Sequence, residues 1–187
     1  MKRIFPLLLL ATGLKTSVQA ETRNESAHVH GVARLNLVLE AKTLQLEFVV
    51  PAADFLGFEH KPSSDSEVRA FETLQKELKK PAELFTLPEE ASCSLVKADL
   101  PDTPWSEDGH KKKGHDHKKK DHDHDEEHSD LRAQYSFSCQ NPEKVASIKL
   151  KVFDRFKSLR QIKALYIHGS RQGQQMLKPG SEVLNFK

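Results

Sequence analysis

Residues 28–50 read HVHGVARLNLVLEAKTLQLEFVV. From His28 to Glu40, Val29, Ala33, Leu35, Leu37 and Leu39 fall on one side, and His28, His30, Arg34, Asn36 and Glu40 fall on the other. After a short turn, Leu44, Leu46, Phe48 and Val50 repeat the pattern. Successive side chains of a strand point to opposite faces, so a period of two predicts a β-hairpin with one buried face, ended by Pro51.

The same period returns further along the chain. Residues 91–100 predict a strand carrying Cys93, and Leu131, Ala133, Tyr135, Phe137 and Cys139 alternate in the next one. Ile148, Leu150 and Val152 alternate, Ile162 to His168 and Gln172 to Lys178 predict a hairpin around Gly169, and Val183 to Phe186 reads as an edge strand. Helical spacing is clearest between Ser64 and Lys80, where Val68, Phe71, Leu74 and Leu78 share a face. Ser64 and Glu67 fit a capping box and Pro81 stops the helix. Phe153 to Leu159 predicts a short helical turn, and Asp154 to Phe156 faintly echoes Asp54-Phe55, a hint of duplication. The expected fold class is α+β, mainly antiparallel β with one long helix, interrupted by a long polar loop.

A length of 187 residues predicts one domain. Residues 1–20 read as a signal peptide: Lys2 and Arg3 precede a short apolar run, and Val18-Gln19-Ala20 offers small residues for cleavage. That leaves residues 21–187 as the expected domain, with no membrane insertion after cleavage. The segment holds three basic residues and no acid, so its removal takes the formal charge from +2 to −1. Such a chain lacks the field that nucleic-acid binding needs. Export also bears on the two cysteines, Cys93 and Cys139: they lie far apart without a CxxC pattern, so an oxidising compartment predicts a disulfide between them. Both fall on predicted strands flanking the long loop, where a bridge would fasten the loop's base.

That loop, at about residues 106–130, carries DGHKKKGHDHKKKDHDHDEEH over positions 108–128. It contains His110, His115, His117, His122, His124 and His128, six of the ten histidines in the chain. Imidazole and carboxylate are zinc's ligands when thiolate is absent, and copper(II) or nickel accept them too. The HxH pairs around Asp116 and Asp123 allow chelation from adjacent positions, with the aspartates as oxygen ligands or as partners of the distal ring nitrogen. A segment without apolar residues is expected to be disordered and builds no rigid site, so several exchangeable ions are expected. Neutral imidazole is the ligand form, so binding should weaken below about pH 6. A solvated spacer and a pH switch are the competing readings of the same composition.

Outside the loop, His28 and His30 are candidate ligands on one face of the first strand, against the alternative of two surface histidines near a chain end. His60, in Gly57-Phe58-Glu59-His60, is a further candidate, with Glu59 beside it as ligand or outer partner. His168, at the Gly169 turn, reads as structural or solvated. No HExxH pattern is present, and a zinc hydrolase would need three placed ligands and a general base, so the chain is not read as an enzyme.

Ala27-His28-Val29-His30-Gly31, Gly57-Phe58-Glu59-His60 and the central His/Asp/Glu-rich segment together resemble the ZrgA-type family of zinc-regulated periplasmic zinc-binding proteins. The resemblance covers essentially the whole of residues 21–187. It implies a periplasmic protein made when zinc is scarce, serving a zinc ABC import system as an accessory to its solute-binding component. The competing classes are a metal storage or detoxification buffer, and an envelope interaction module whose loop is incidental.

Overall fold

The computed structural model describes residues 29–100 and 129–186. Strands β1 (Val32–Glu40) and β2 (Thr43–Pro51) form the hairpin, paired from Arg34 with Val49 to Glu40 with Thr43. The alternation is the cause: Ala33, Leu35, Leu37, Leu39, Leu44, Leu46, Phe48 and Val50 are all buried on one face. The strand begins at Val32 and leaves out Val29 to Gly31, because Gly31 takes a left-handed φ of 79° and the chain turns there. Val29 consequently leaves the buried face and is 59% exposed.

After β2 the chain forms helices α1 (Ala52–Leu56), α2 (Asp65–Leu78) and α3 (Pro81–Leu84), then strands β3 (Phe85–Thr86) and β4 (Cys93–Asp99). Strands β5 (Asp130–Cys139) and β6 (Ser147–Leu150), helix α4 (Val152–Arg155), and strands β7 (Gln161–His168), β8 (Arg171–Leu177) and β9 (Val183–Asn185) follow. Six strands form one sheet in the order β4-β5-β2-β1-β7-β8, antiparallel except where β1 runs parallel to β7. A smaller sheet has the order β3-β6-β9. The apolar face of the large sheet, the small sheet and the helices share one core, which includes Leu78, Leu84, Ile148, Leu150, Phe153 and Leu184.

The α+β expectation with one long helix is overturned: the fold is mostly β, with 47% of the described residues in strands and 25% helical. Of the four α-helices only α2 has seven or more residues, and its 14 residues span about 21 Å, an ordinary length for a globular helix. The others are single turns at corners: α1 follows Pro51 as its N-cap, and α3 opens at Pro81, where a fixed φ suits a first helical position. Val152 likewise leaves the strand pattern and opens α4. Helix α2 itself starts as its sequence dictates: the Ser64 side chain accepts from the Glu67 amide and the Glu67 carboxylate from the Ser64 amide. Tyr135, buried beneath α2, donates its hydroxyl to the Leu78 carbonyl at 2.8 Å, and burial pushes its pKa up.

Cys93 and Cys139 form a disulfide as directly opposed residues of β4 and β5. Its place differs from the expectation. The pair lies where β4 begins and β5 ends, whereas residues 101–128 connect the opposite ends of these strands. Six residues at about 3.3 Å each put the bridge about 20 Å along the ladder from the point where that segment departs. It clamps the strand pair rather than the base of the segment.

Candidate metal site

Gly31 sets the position of His30. Its amide donates to Asp54 Oδ2 at 2.6 Å, and its carbonyl accepts from the amides of Arg160 and Gln161 at 2.8 and 3.0 Å. The Arg160 guanidinium also donates to the His30 carbonyl at 2.8 Å. A Cβ at residue 31 would lie 2.5 Å from Arg160 Nε and 3.2 Å from the Ser158 carbonyl, so the approach requires glycine on space as well as on φ. Asp54 is fixed in α1, and the Ser158 hydroxyl donates to its carbonyl. Phe55 and Phe156 seal this contact with ring centroids 3.9 Å apart. The two echoed segments of the sequence therefore meet through Phe55 and Phe156, while Asp54 and Arg160 hold His30 in a braced turn.

Gly57, left-handed at φ 83°, caps α1 with its amide on the Ala53 carbonyl and turns the chain outward. Beyond it, Glu59 comes to His30: Oε1 lies 3.7 Å from Nδ1. The imidazole is 56% exposed and the carboxylate 18%. His60 takes a different partner. Its Nε2 is 3.2 Å from Glu67 Oε1, and its ring lies 5.2 Å from that of Phe58. The other Glu67 oxygen accepts from the Ser63 amide at 2.7 Å, the Ser63 hydroxyl at 3.0 Å and the Ser64 amide at 3.1 Å. These donors, the Ser63 amide foremost, hold the Glu67 carboxyl down at about 2, and the His60 ring adds to the effect. His60 is thus tied to the capping box of α2.

His168 ends β7, with Nδ1 2.7 Å from an Arg171 guanidinium nitrogen and its ring 5.4 Å from Phe186. Burial, and secondarily the Arg171 charge, lower its pKa.

The outer face of the large sheet holds a groove of about 480 Å³ lined by Asn36, Val38, Gln45, Glu47, Gln134 and Ser136 among others. Its Glu47 carboxylate already accepts from Asn36 at 2.7 Å, from Gln134 at 3.1 Å and from Arg132. Burial raises the Glu47 pKa, but these bonds and the Arg132 charge more than offset it. The groove's lining offers the carboxylates of Glu47 and Asp99 but no imidazole or thiolate.

Among the described residues, no group of three or more His, Cys, Asp and Glu side chains is arranged to hold a metal. The structure brings His30 and Glu59 together and places His60 and His168 elsewhere. His28, His110, His115, His117, His122, His124, His128, Asp116 and Asp123 lie outside the described residues, as does the expected signal peptide. Asp54 stood out only in the faint echo and Arg160 not at all, because they stand 23 and 130 positions from the residues they hold. No described helix is long and apolar enough to cross a membrane.

No curated protein matches the chain. The family described as ZrgA family zinc uptake proteins matches residues 27–186, which span both strands of the first hairpin, the His30 turn, the His-rich segment and the last strand. The chain belongs to that zinc uptake family.

Proposed function

We propose that this protein captures zinc in the periplasm through its His-rich segment and passes it to a zinc ABC uptake system, as an accessory to the solute-binding component. The observation that carries the reading is membership of a zinc uptake family by a chain with six histidines in one 19-residue stretch. Zinc is the cargo here, not a resident cofactor, and the chemistry required is reversible ligation. Imidazoles and carboxylates at many neighbouring positions of a polar segment suit that task, since one ligand can replace another on the ion. The folded domain contributes a strand pair, β4 and β5, from which the segment departs, with the disulfide holding those strands in register. His28 and His30 add a second tier near the first strand, and His60 can meet zinc through Nδ1 while its Nε2 stays on Glu67. The reading assigns no catalytic step to any residue.

The test is transfer. Zinc-loaded protein is mixed with the metal-free solute-binding component, and arrival of zinc is followed against the same zinc presented on a small chelator of matched affinity. Faster delivery from the protein, abolished by deleting residues 106–129, supports direct handover. Equal rates from protein and chelator mean that zinc travels through solution, and the storage-buffer reading replaces handover.

A further inference from the structure

We infer that Glu59 is a zinc ligand and that, with His30 Nδ1, it forms an ordered two-residue anchor on the folded domain. The inference rests on the zinc-capture reading and deepens it. Three observations carry it. The first is the Nδ1 to Oε1 distance of 3.7 Å, which exceeds the 2.7–3.2 Å of a hydrogen bond. Two donors each about 2.0–2.1 Å from a tetrahedral zinc stand about 3.4 Å apart. The pair therefore sits close to the spacing of two ligands of one ion.

The second observation is the bracing. His30 is fixed through Arg160, Gly31 and Asp54, and Glu59 stands two residues beyond the glycine cap of α1. A ligand on braced backbone loses less conformational freedom on binding than an unbraced one does. The third is the asymmetry of burial. Glu59 Oε1 is shielded from solvent while the His30 ring is largely open. A cation is attracted more strongly by a carboxylate oxygen shielded from water than by one in bulk water, and the open side admits it.

Two protein ligands leave two of zinc's four positions for water or for an arriving imidazole. The anchor thus holds zinc firmly while leaving room for exchange with histidines of the segment. It gives the domain a role in zinc traffic beyond displaying that segment.

The experiment is NMR of the full chain with selective labelling, following the His30 ring nitrogens and the Glu59 carboxyl carbon during zinc titration. Both signals are expected to shift together and to saturate as one site. Glu59→Gln, which keeps the shape and removes the anion, should weaken zinc at His30 by about tenfold or more, since even outer partners of zinc ligands are worth 10–100-fold. Thermal melting without zinc checks that the variant is folded, and Glu59→Asp should restore part of the affinity. A His30 shift with a silent Glu59 carbon, or an unchanged affinity in folded Glu59→Gln, overturns the inference. If neither residue responds while the segment still binds zinc, the anchor is wrong and the capture reading stands. If no zinc is bound at all, the capture reading itself falls.

Discussion

Removal of the disulfide should cost stability and leave zinc capacity untouched. Cys93 and Cys139 are 46 residues apart, and a loop of that length closed in the unfolded chain is worth about 4 kcal/mol on the chain-entropy model. For a domain of this size that corresponds to a fall in Tm of roughly 8–16 °C. Cys139 is fully buried, so Cys93→Ser/Cys139→Ser would confound the loss of the bridge with a buried hydroxyl. Cys93→Ala/Cys139→Ala and chemical reduction of the native chain avoid it and should agree with each other. Urea unfolding with and without reductant measures the difference, and native mass spectrometry counts bound zinc in the same samples below the transition. Because the bridge lies about 20 Å from where residues 101–128 leave the strands, the count should not change. A loss of less than about 1 kcal/mol would refute the entropic argument. A fall in zinc count in still-folded protein would refute the claim that the bridge acts on the strand pair alone.

Gly31→Ala places a Cβ 2.5 Å from Arg160 Nε at a φ of 79°, so it should destabilise by about 1–3 kcal/mol or more in urea unfolding and displace His30 from Glu59, seen as weaker zinc at His30. Ser64→Ala removes the N-cap acceptor of α2 and should cost about 0.5–2 kcal/mol by the same assay. Glu67 is held at about 2 in the fold, below the ordinary glutamate range. Its contribution to stability is therefore present above that ordinary range and is lost as pH falls through about 2, which an acid titration of its carboxyl carbon would trace. His168 has a lowered pKa, so its contribution is present above the ordinary imidazole value and is lost on acidification. His168→Ala should leave zinc stoichiometry unchanged.

The hairpin of β1 and β2 was legible because its faces differ in every second residue, and α2 because Ser64, Glu67 and its apolar spacing agree on one answer. The balance of the fold class was not legible. One clear helical pattern drew the reading toward α+β, although strands at period two account for most of the described structure. Alternation alone also placed His28 to Gly31 in a strand; it is blind to a glycine whose positive φ is fixed by Asp54 and Arg160 from distant parts of the chain. The cysteine pairing followed from composition and the expectation of export, but its end of the ladder depends on register, which spacing does not specify. At the candidate site, His30 stood out by type and Glu59 only as a neighbour of His60. Their meeting depends on the turn after α1, which folds Glu59 to His30 while Glu67 engages His60.

The central claim is that this chain holds several zinc ions through its His-rich segment and a separate one on the folded domain. Native mass spectrometry during zinc titration tests it most directly, on the intact protein, on a deletion of residues 106–129, and on His28→Ala/His30→Ala. The account predicts that the deletion loses several weakly held ions and the double substitution loses one tighter ion. Zinc uptake unchanged by either alteration would contradict it and leave the interaction-module reading in its place.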